Sequence, residues 1–226
     1  MKKYAIIVAA GSGTRMGTEI PKQFLVLAGK PLLYHTVKAF LHSFADLQVV
    51  LVVNKNFVPK TLEVIAELNT QNRIEIVEGG ETRFQSVRNG LGKVEEPSIV
   101  FVHDGVRCMV SKQLIERCSQ IAMAKGSAIP AVTATDSIRI VVNGTNQVAD
   151  RNNVFIIQTP QTFKSGILLE AFKQQELASF TDEASVVEAN GGIINLVEGE
   201  YDNIKVTRPV DLLIAAQIME QRLTLQ

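Results

Sequence analysis

The chain has 226 residues, 46% of them hydrophobic, which is enough apolar material for the core of one α/β domain. Its 23 basic residues balance its 23 acidic ones, so no bulk charge draws it to nucleic acid or to an anionic membrane. No stretch approaches the ~20 apolar residues that span a bilayer, and two cysteines, Cys108 and Cys118, make neither a disulfide framework nor a zinc site; a soluble, cytoplasmic protein is expected.

The apolar run after Met1-Lys2-Lys3 is strand-length and feeds straight into a glycine loop, unlike a signal peptide. Residues 4–9, 48–53, 73–77, 99–103 and 127–132 read as strands, apolar on both faces as strands covered by helices must be. Helical segments alternate with them. Pro31 suits a first helical turn, after which Leu33, Val37, Phe40 and Leu41 recur at helical spacing. Ser111 suits an N-cap, followed by a stripe of Leu114, Ile115, Cys118, Ile121 and Ala122 and a stop at Gly126, which makes Cys118 a core residue. This rhythm predicts βαβ units around a mainly parallel sheet flanked by helices.

The rhythm breaks after Val132. Ser137 opens an alternating run to Val142, Asn143-Gly144 is a hairpin turn, and strand character resumes over 147–151 and 154–158. An inserted hairpin has little core of its own, so residues 135–158 read as an arm, packed over the domain or exchanged with a second subunit. A strand over 192–197 and a helix from Pro209 to about Leu223 complete the pattern.

Residues 9–17, AAGSGTRMG, follow the first strand and so lie at the carboxyl edge of the sheet, where open α/β folds bind ligands. A dinucleotide fingerprint needs glycine where Met16 stands, and an acid at the end of the second strand, where the chain reads Val53-Asn54-Lys55. A Walker loop needs a glycine-lysine-serine/threonine ending, which is missing. What remains is a phosphate loop carrying its own cation, Arg15, with Lys22 close behind, or a tight turn with basic residues on its surface. At other strand ends, Gly79-Gly80-Glu81 with Arg83 and Ser86 could admit a flat base against the backbone. Asp104, closely followed by Arg107, is placed either to bind magnesium or a sugar hydroxyl, or simply to pair with Arg107.

The strings AAGSGTRMG, PKQF, HDGVR, TPQTF, TDEAS and DNIKVTRP occur in that order, and from about residue 4 to about residue 215 the chain resembles the 2-C-methyl-D-erythritol 4-phosphate cytidylyltransferases of the non-mevalonate isoprenoid pathway. The resemblance implies a Rossmann-like, nucleotide-diphospho-sugar-transferase-like fold and transfer of CMP from CTP to a polyol phosphate. It makes Arg15 and Lys22 stabilise the transition state and Arg151 and Lys205 position the methylerythritol phosphate. It puts Ala9, Ala10, Gly11, Ser12, Gly13, Gly80, Glu81 and Ser86 near the CTP, and Asp104, Arg107, Ser137, Thr159 and Thr181 around the substrates. It further implies a homodimer with crossing arms, so that Arg151 and Thr181 would serve the neighbouring subunit's site. Two positions depart from the family pattern: Cys108 replaces the proline usual after the arginine of the HDxxR string, where proline would stiffen the loop carrying Arg107, and Ser137 stands where threonine is commoner.

The implied reaction is in-line attack of the polyol phosphate on the α-phosphorus of CTP. A phosphate nucleophile is already ionised near neutral pH, so no general base is needed and His35, His42 and His103 have no catalytic task. Two polyanions must instead be brought together, which calls for fixed cations and Mg2+, held by the CTP phosphates or by Asp104. Ribitol 5-phosphate as the acceptor, a non-catalytic nucleotide-binding module and an NADP-dependent oxidoreductase are the competing readings.

Overall fold

Strands apolar on both faces need cover on both faces, and the chain supplies it by alternating elements. A computed structural model describes residues 1–11, 20–68 and 70–224. In chain order the elements are β1 (Lys2–Ala9), the short ribbon β2 (Val26–Leu27) and β3 (Lys30–Pro31), α1 (Leu32–Ser43), β4 (Leu47–Val53), α2 (Val58–Ala66), β5 (Ile74–Glu78), α3 (Arg83–Leu91), β6 (Ser98–Asp104), α4 (Lys112–Lys125), β7 (Ser127–Thr133), β8 (Ile138–Val142), β9 (Thr145–Ala149), β10 (Phe155–Ile157), β11 (Gln161–Lys164), α5 (Ser165–Ala171), α6 (Glu183–Ala189), β12 (Leu196–Glu198) and α7 (Pro209–Thr224).

The main sheet has eight strands. Strands β5, β4, β1 and β6 run parallel in that spatial order; β11 lies antiparallel between β6 and β7, and β12 pairs parallel with β7. The period-2 alternation of β1 sends Ala5 and Ile7 to one face, where they pack with Leu33, Val37 and Phe40 of α1, Val64 and Ile65 of α2, and Leu114, Ile115 and Cys118 of α4. It sends Tyr4 and Ile6 to the other, against Phe84 and Val87 of α3, Leu168 of α5 and Val187 of α6. The result is an α/β sandwich whose mostly parallel sheet is flanked by helices. A third cluster seats α7, through Ala215 and Ile218, on Leu27, Leu32, Val106, Cys108 and Val206. No helix among the described residues is long and apolar enough to cross a membrane.

The strands expected over 4–9, 48–53, 73–77, 99–103 and 127–132 all form, with ends shifted by a residue or two. Other expectations need correction. Pro31 is not in the first helical turn; it pairs with Val26 in the ribbon, and α1 begins at Leu32. The strand expected over 192–197 is only β12, because residues 191–195 lack a ladder partner and the chain joins β7 at Leu196. The second arm strand runs from Thr145 and ends at Ala149, leaving Arg151 in a 3-10 turn whose start Asp150 caps by accepting from Asn152 N–H. Residues 155–157 belong to the main sheet, antiparallel to β7. The free arm is therefore β8–β9, whose strands pair only with each other around Asn143 and Gly144, at φ 50° and 79°, the type I′ geometry read from Asn-Gly. Strand β11 had no sequence signature: its Gln161 and Thr162 are polar, yet both are buried at the middle of the sheet.

Helix α4 forms as its caps dictate. Ser111 Oγ accepts from Leu114 N–H at 2.9 Å, and Gly126 ends the helix at φ 95°. Ser111 Oγ also donates to Glu200 Oε1 at 2.6 Å. Ser111→Ala will therefore cost about 1 kcal/mol and lower the midpoint of calorimetric unfolding by roughly 2–4 °C, while Ser111→Asn, which keeps a capping acceptor, will recover most of that loss. Equal destabilisation by both variants would assign the effect to the Glu200 contact instead.

Candidate active site

The carboxyl ends of β1, β5 and β6 open into one cleft, lined by Ala9, Ala10, Gly11, Lys22, Gln23, Gly80, Glu81, Thr82, Arg83, Ser86, Asp104, Val106 and Lys205. It gathers nine of the expected site residues: Ala9, Ala10, Gly11, Lys22, Gly80, Glu81, Ser86, Asp104 and Lys205. Ser12, Gly13 and Arg15 lie outside the described residues. Arg107 and Thr159 stand behind the cleft, bonded to Asp104. Ser137, Arg151 and Thr181 do not line it; all three are exposed, and Arg151 donates to Thr135 O at 3.0 Å.

Lys22 is held by its neighbours. It opens a 3-10 turn, Lys22–Phe24, in which Gln23 and Phe24 are buried. Gln23 Nε2 donates to Ala9 O at 2.8 Å and to Gly11 O at 3.3 Å, and so ties the turn to the start of the glycine loop. Phe24 packs on Phe57 with ring centroids 5.7 Å apart. The glycine pair opposite has a packing reason of its own. A Cβ on Gly79 would lie 2.4 Å from Ala10 Cβ, and one on Gly80 would lie 2.4 Å from Gln85 Cβ, so Gly79 lets the β5–α3 turn close against the end of β1 and Gly80 lets it fold back on α3. Ser86 shapes that turn, accepting from Gly80 N–H at 3.1 Å and donating to Thr82 O at 2.9 Å.

Asp104, the last residue of β6, is the centre of charge. Its Oδ2 faces Lys205 Nζ at 3.0 Å and Arg107 Nε at 3.3 Å, and its Oδ1 faces Arg83 at 3.8 Å. Burial alone would raise its pKa, but Lys205, Arg83 and Arg107 together outweigh burial and hold the carboxyl well below the usual carboxylate range. Burial likewise lowers the affinity of Arg107 for its proton, and Asp104 offsets that only in part. In Arg83 burial is outweighed by Glu183, which grips the guanidinium through both oxygens, with Asp104 adding to it. Both oxygens of Asp104 thus already face cations of the chain, and no cluster of three or more His, Cys, Asp or Glu side chains able to share a metal occurs among the described residues. The donor set around Asp104 does not fit a protein-held divalent ion, against the expectation that Asp104 could bind one.

A second network holds the loop after β6. Asp104 N–H donates to Thr159 Oγ1 at 3.1 Å; that hydroxyl lies 3.0 Å from His103 Nδ1, and His103 Nε2 lies 3.1 Å from Arg107 O. Since a carbonyl only accepts, Nε2 carries the proton and Nδ1 accepts from Thr159. Arg107 Nη1 also donates to Asn203 O at 2.8 Å, and Asn203 Nδ2 donates to Thr159 O at 2.8 Å. Arg107 is thereby fixed without the family's proline. Cys108 is core, its thiol pushed up to about 12 by burial, and Cys118 likewise. Arg83 was read from sequence only as part of the turn that could admit a base, not as a partner of Asp104, and Gln23, Asn203 and Glu183 were not singled out as site residues. A signal was present for these three, since they sit inside the strings PKQF, DNIKVTRP and TDEAS next to the residues that were chosen.

His103 is wholly buried, and burial depresses its pKa from 6.5 to about 4. A depressed folded-state value means that the unfolded chain takes up the proton first as pH falls, so stability is intact above 6.5 and is lost progressively toward 4. Denaturant unfolding will show a loss of about 2 kcal/mol between pH 7.5 and 5 from this group, a window that lies above the one in which Asp104 titrates. His103→Gln will remove that slope; the same slope in the variant would show that the imidazole does not cause it.

A family model described as 2-C-methyl-D-erythritol 4-phosphate cytidylyltransferase matches residues 4–221. A relative of that name from Bacteroides thetaiotaomicron is 41% identical over 219 residues, covering 97% of this chain and 100% of the relative, and one from Porphyromonas gingivalis is 41% identical over 219 residues, covering 96% and 98%. Among solved structures, the 2-C-methyl-D-erythritol 4-phosphate cytidylyltransferase of Francisella tularensis superposes with a TM-score of 0.81 at 32% identity over 96% of this chain and 100% of that one. The 4-diphosphocytidyl-2C-methyl-D-erythritol synthase of Anaerococcus prevotii gives 0.85 at 25% identity over 97% and 96%. Similar along nearly its whole length in both sequence and backbone, the chain belongs to the 2-C-methyl-D-erythritol 4-phosphate cytidylyltransferase family.

Proposed function

We propose that the chain transfers CMP from CTP to 2-C-methyl-D-erythritol 4-phosphate, releasing pyrophosphate and forming 4-diphosphocytidyl-2-C-methyl-D-erythritol, a cytoplasmic step of isoprenoid precursor synthesis by the non-mevalonate route. The observation that carries this reading, beside family membership, is the single cleft in which Lys22 and Lys205 stand around Asp104 at the carboxyl edge of the sheet. Cations from two distant parts of the chain suit a site that must hold two anionic reactants at once.

In the proposed mechanism a phosphate oxygen of the polyol attacks the α-phosphorus in line, and the bond to the bridging oxygen of pyrophosphate breaks with the electron pair leaving on that oxygen. Ala9, Ala10, Gly11, Ser12, Gly13, Gly80, Glu81 and Ser86 seat the nucleotide. Arg15 and Lys22 carry the negative charge that grows on the α-phosphate, and Lys205, steadied by Asp104, holds the polyol phosphate as a point charge. No proton acceptor is required, and the histidine next to the site is kept neutral by its burial, which outweighs the bond to Arg107 O. Magnesium enters the proposal as an ion carried by the triphosphate, where it would neutralise charge, and not as a ligand of Asp104.

Ser137 belongs to the proposal as a residue around the substrates, and Arg151 and Thr181 belong to it through a homodimer. The β8–β9 arm exposes Ile140, Val141, Val142 and Val148, and Phe155 and Ile156 continue the apolar surface beyond it. An apolar ribbon of this kind on a two-stranded hairpin calls for a partner surface, and in the proposed dimer, with the arms crossed, Arg151 and Thr181 serve the neighbour's cleft.

Release of pyrophosphate from CTP will depend on methylerythritol phosphate and will be far slower with ribitol 5-phosphate; the reverse preference would overturn the substrate assignment. Lys22→Ala will lower kcat roughly 10²- to 10³-fold, and Arg151→Ala will chiefly raise KM for the polyol phosphate. Mixing the two variants at a polyol-phosphate concentration far below the raised KM, where each alone is nearly silent, tests arm exchange, because one site of each mixed dimer then has both wild-type residues. Activity should return to about a quarter of the wild-type level, and no return would place Lys22 and Arg151 in the same subunit's site.

A further inference from the structure

Glu183 is an uncommon residue for a protein interior, a carboxylate with no exposure at the first position of α6. A buried carboxylate is costly unless paired. Its partner is Arg83, which grips it through both terminal nitrogens, one of them at 3.0 Å. Arg83 is in turn the first residue of α3, a helix capped by Thr82. The pair therefore joins the start of α3 to the start of α6, and it sits at the wall of the cleft, which Arg83 lines.

Neither end of the pair is free to drift. Helix α6 begins in a capping box between Asp182 and Ser185, and Gln161 of β11 anchors the same turn, donating to Asp182 Oδ2 at 2.8 Å and accepting from Ala184 N–H at 2.8 Å. With Glu183 fixed in this way, the guanidinium of Arg83 is presented to Asp104 Oδ1 at 3.8 Å, while Oδ2 of the same carboxylate meets Arg107 and Lys205. The five groups form a chain of alternating sign in which each cation on Asp104 has its own direction of approach.

We propose that Arg83 and Glu183 are positioning residues for the polyol phosphate. Glu183 holds Arg83 against Oδ1 of Asp104, so that Oδ2 is left to orient Lys205 from the far side. The inference rests on the proposed transferase function and adds two residues to it. If the guanidinium is released from Glu183, it moves onto Asp104 or toward the incoming anions, and Lys205 loses its fixed counter-charge. A displacement of that size at a substrate-holding cation is felt in the use of the substrate it holds. Because the proposed seat of CTP includes the backbone of Ala9 to Gly11 and the Gly80 turn, away from the contact of Lys205 with Asp104, the defect should fall on one substrate and not the other.

The test is steady-state kinetics of Glu183→Gln and Arg83→Gln in the full-length chain, varying each substrate separately. The expected result is a KM for methylerythritol phosphate raised about 10-fold or more, with KM for CTP within about 2-fold of wild type. Arg83→Gln leaves the buried Glu183 carboxylate without its partner and can compromise folding, so the decisive variant is the double change Arg83→Gln/Glu183→Gln. It removes both charges together and leaves neither buried without its partner, which interiors tolerate far better than the loss of one. The double variant should unfold near the wild-type temperature and still show the selective KM defect. Wild-type KM values for both substrates in a folded double variant, or equal changes in the two, would make the pair merely structural. Failure of the wild-type chain to turn over methylerythritol phosphate at all would instead overturn the function itself, so the two results are distinct.

Discussion

A single carboxylate serving three cations governs the arrangement of this protein. Asp104 stands at the end of the fully buried strand β6, and Arg83, Arg107 and Lys205 reach it from α3, from the following loop and from the segment before α7. An acid at that depth is tolerated only because the cations are present, and cations crowded in this way are tolerated only because the acid is. The consequence is a cleft whose positive charge is fixed before any ligand arrives. For phosphoryl chemistry that counts for more than the presence of a base, since the work lies in holding growing negative charge without reorganisation.

Much of this was legible in the residues. Period-2 apolar runs marked the strands, and Ser111 and Gly126 marked both ends of α4 because capping is local chemistry. Asn143-Gly144 marked the arm for the same reason. Ala9, Ala10, Gly11, Lys22, Gly80, Ser86, Asp104 and Lys205 were all named as site residues and share the cleft. What escaped was whatever depends on distant partners. Strand β11 is polar, and only its place between β6 and β7 buries it. The bond between Arg83 and Glu183 spans a hundred residues, and nothing in the neighbourhood of either predicts the other. Pro31 was misread because proline serves equally before a helix and at its first turn, and the ribbon pairing with Val26 decides between them.

The two halves of the proposed site differ in kind. The nucleotide half is built from backbone turns whose shape is fixed by contact: Gly79 against Ala10, Gln23 against Ala9 and Gly11, Ser86 against Gly80. The polyol-phosphate half is built from long cationic side chains steadied by ion pairs. Shape set by close packing resists substitution at the glycines, whereas position set by charge can be retuned by changing one partner. Changes in acceptor preference within this scaffold are therefore expected among the charged side chains rather than in the turns.

The docking of residues 203–206 onto the loop after β6, through Arg107 with Asn203 and the bond from Val206 N–H to Val106 O, also has a consequence for biosynthesis. Chains emerge from the ribosome amino-terminus first. Every strand of the central sheet but β12, the arm and Asp104 itself are translated before Glu183 and Lys205 exist. During that interval Asp104 has Arg83 and Arg107 beside it, but Arg83 lacks its buried counter-ion and the cleft lacks its second lysine. The charge balance of the site closes only once residues 183 to 205 have been made, so a nascent chain can hold most of the fold while being unable to hold both substrates.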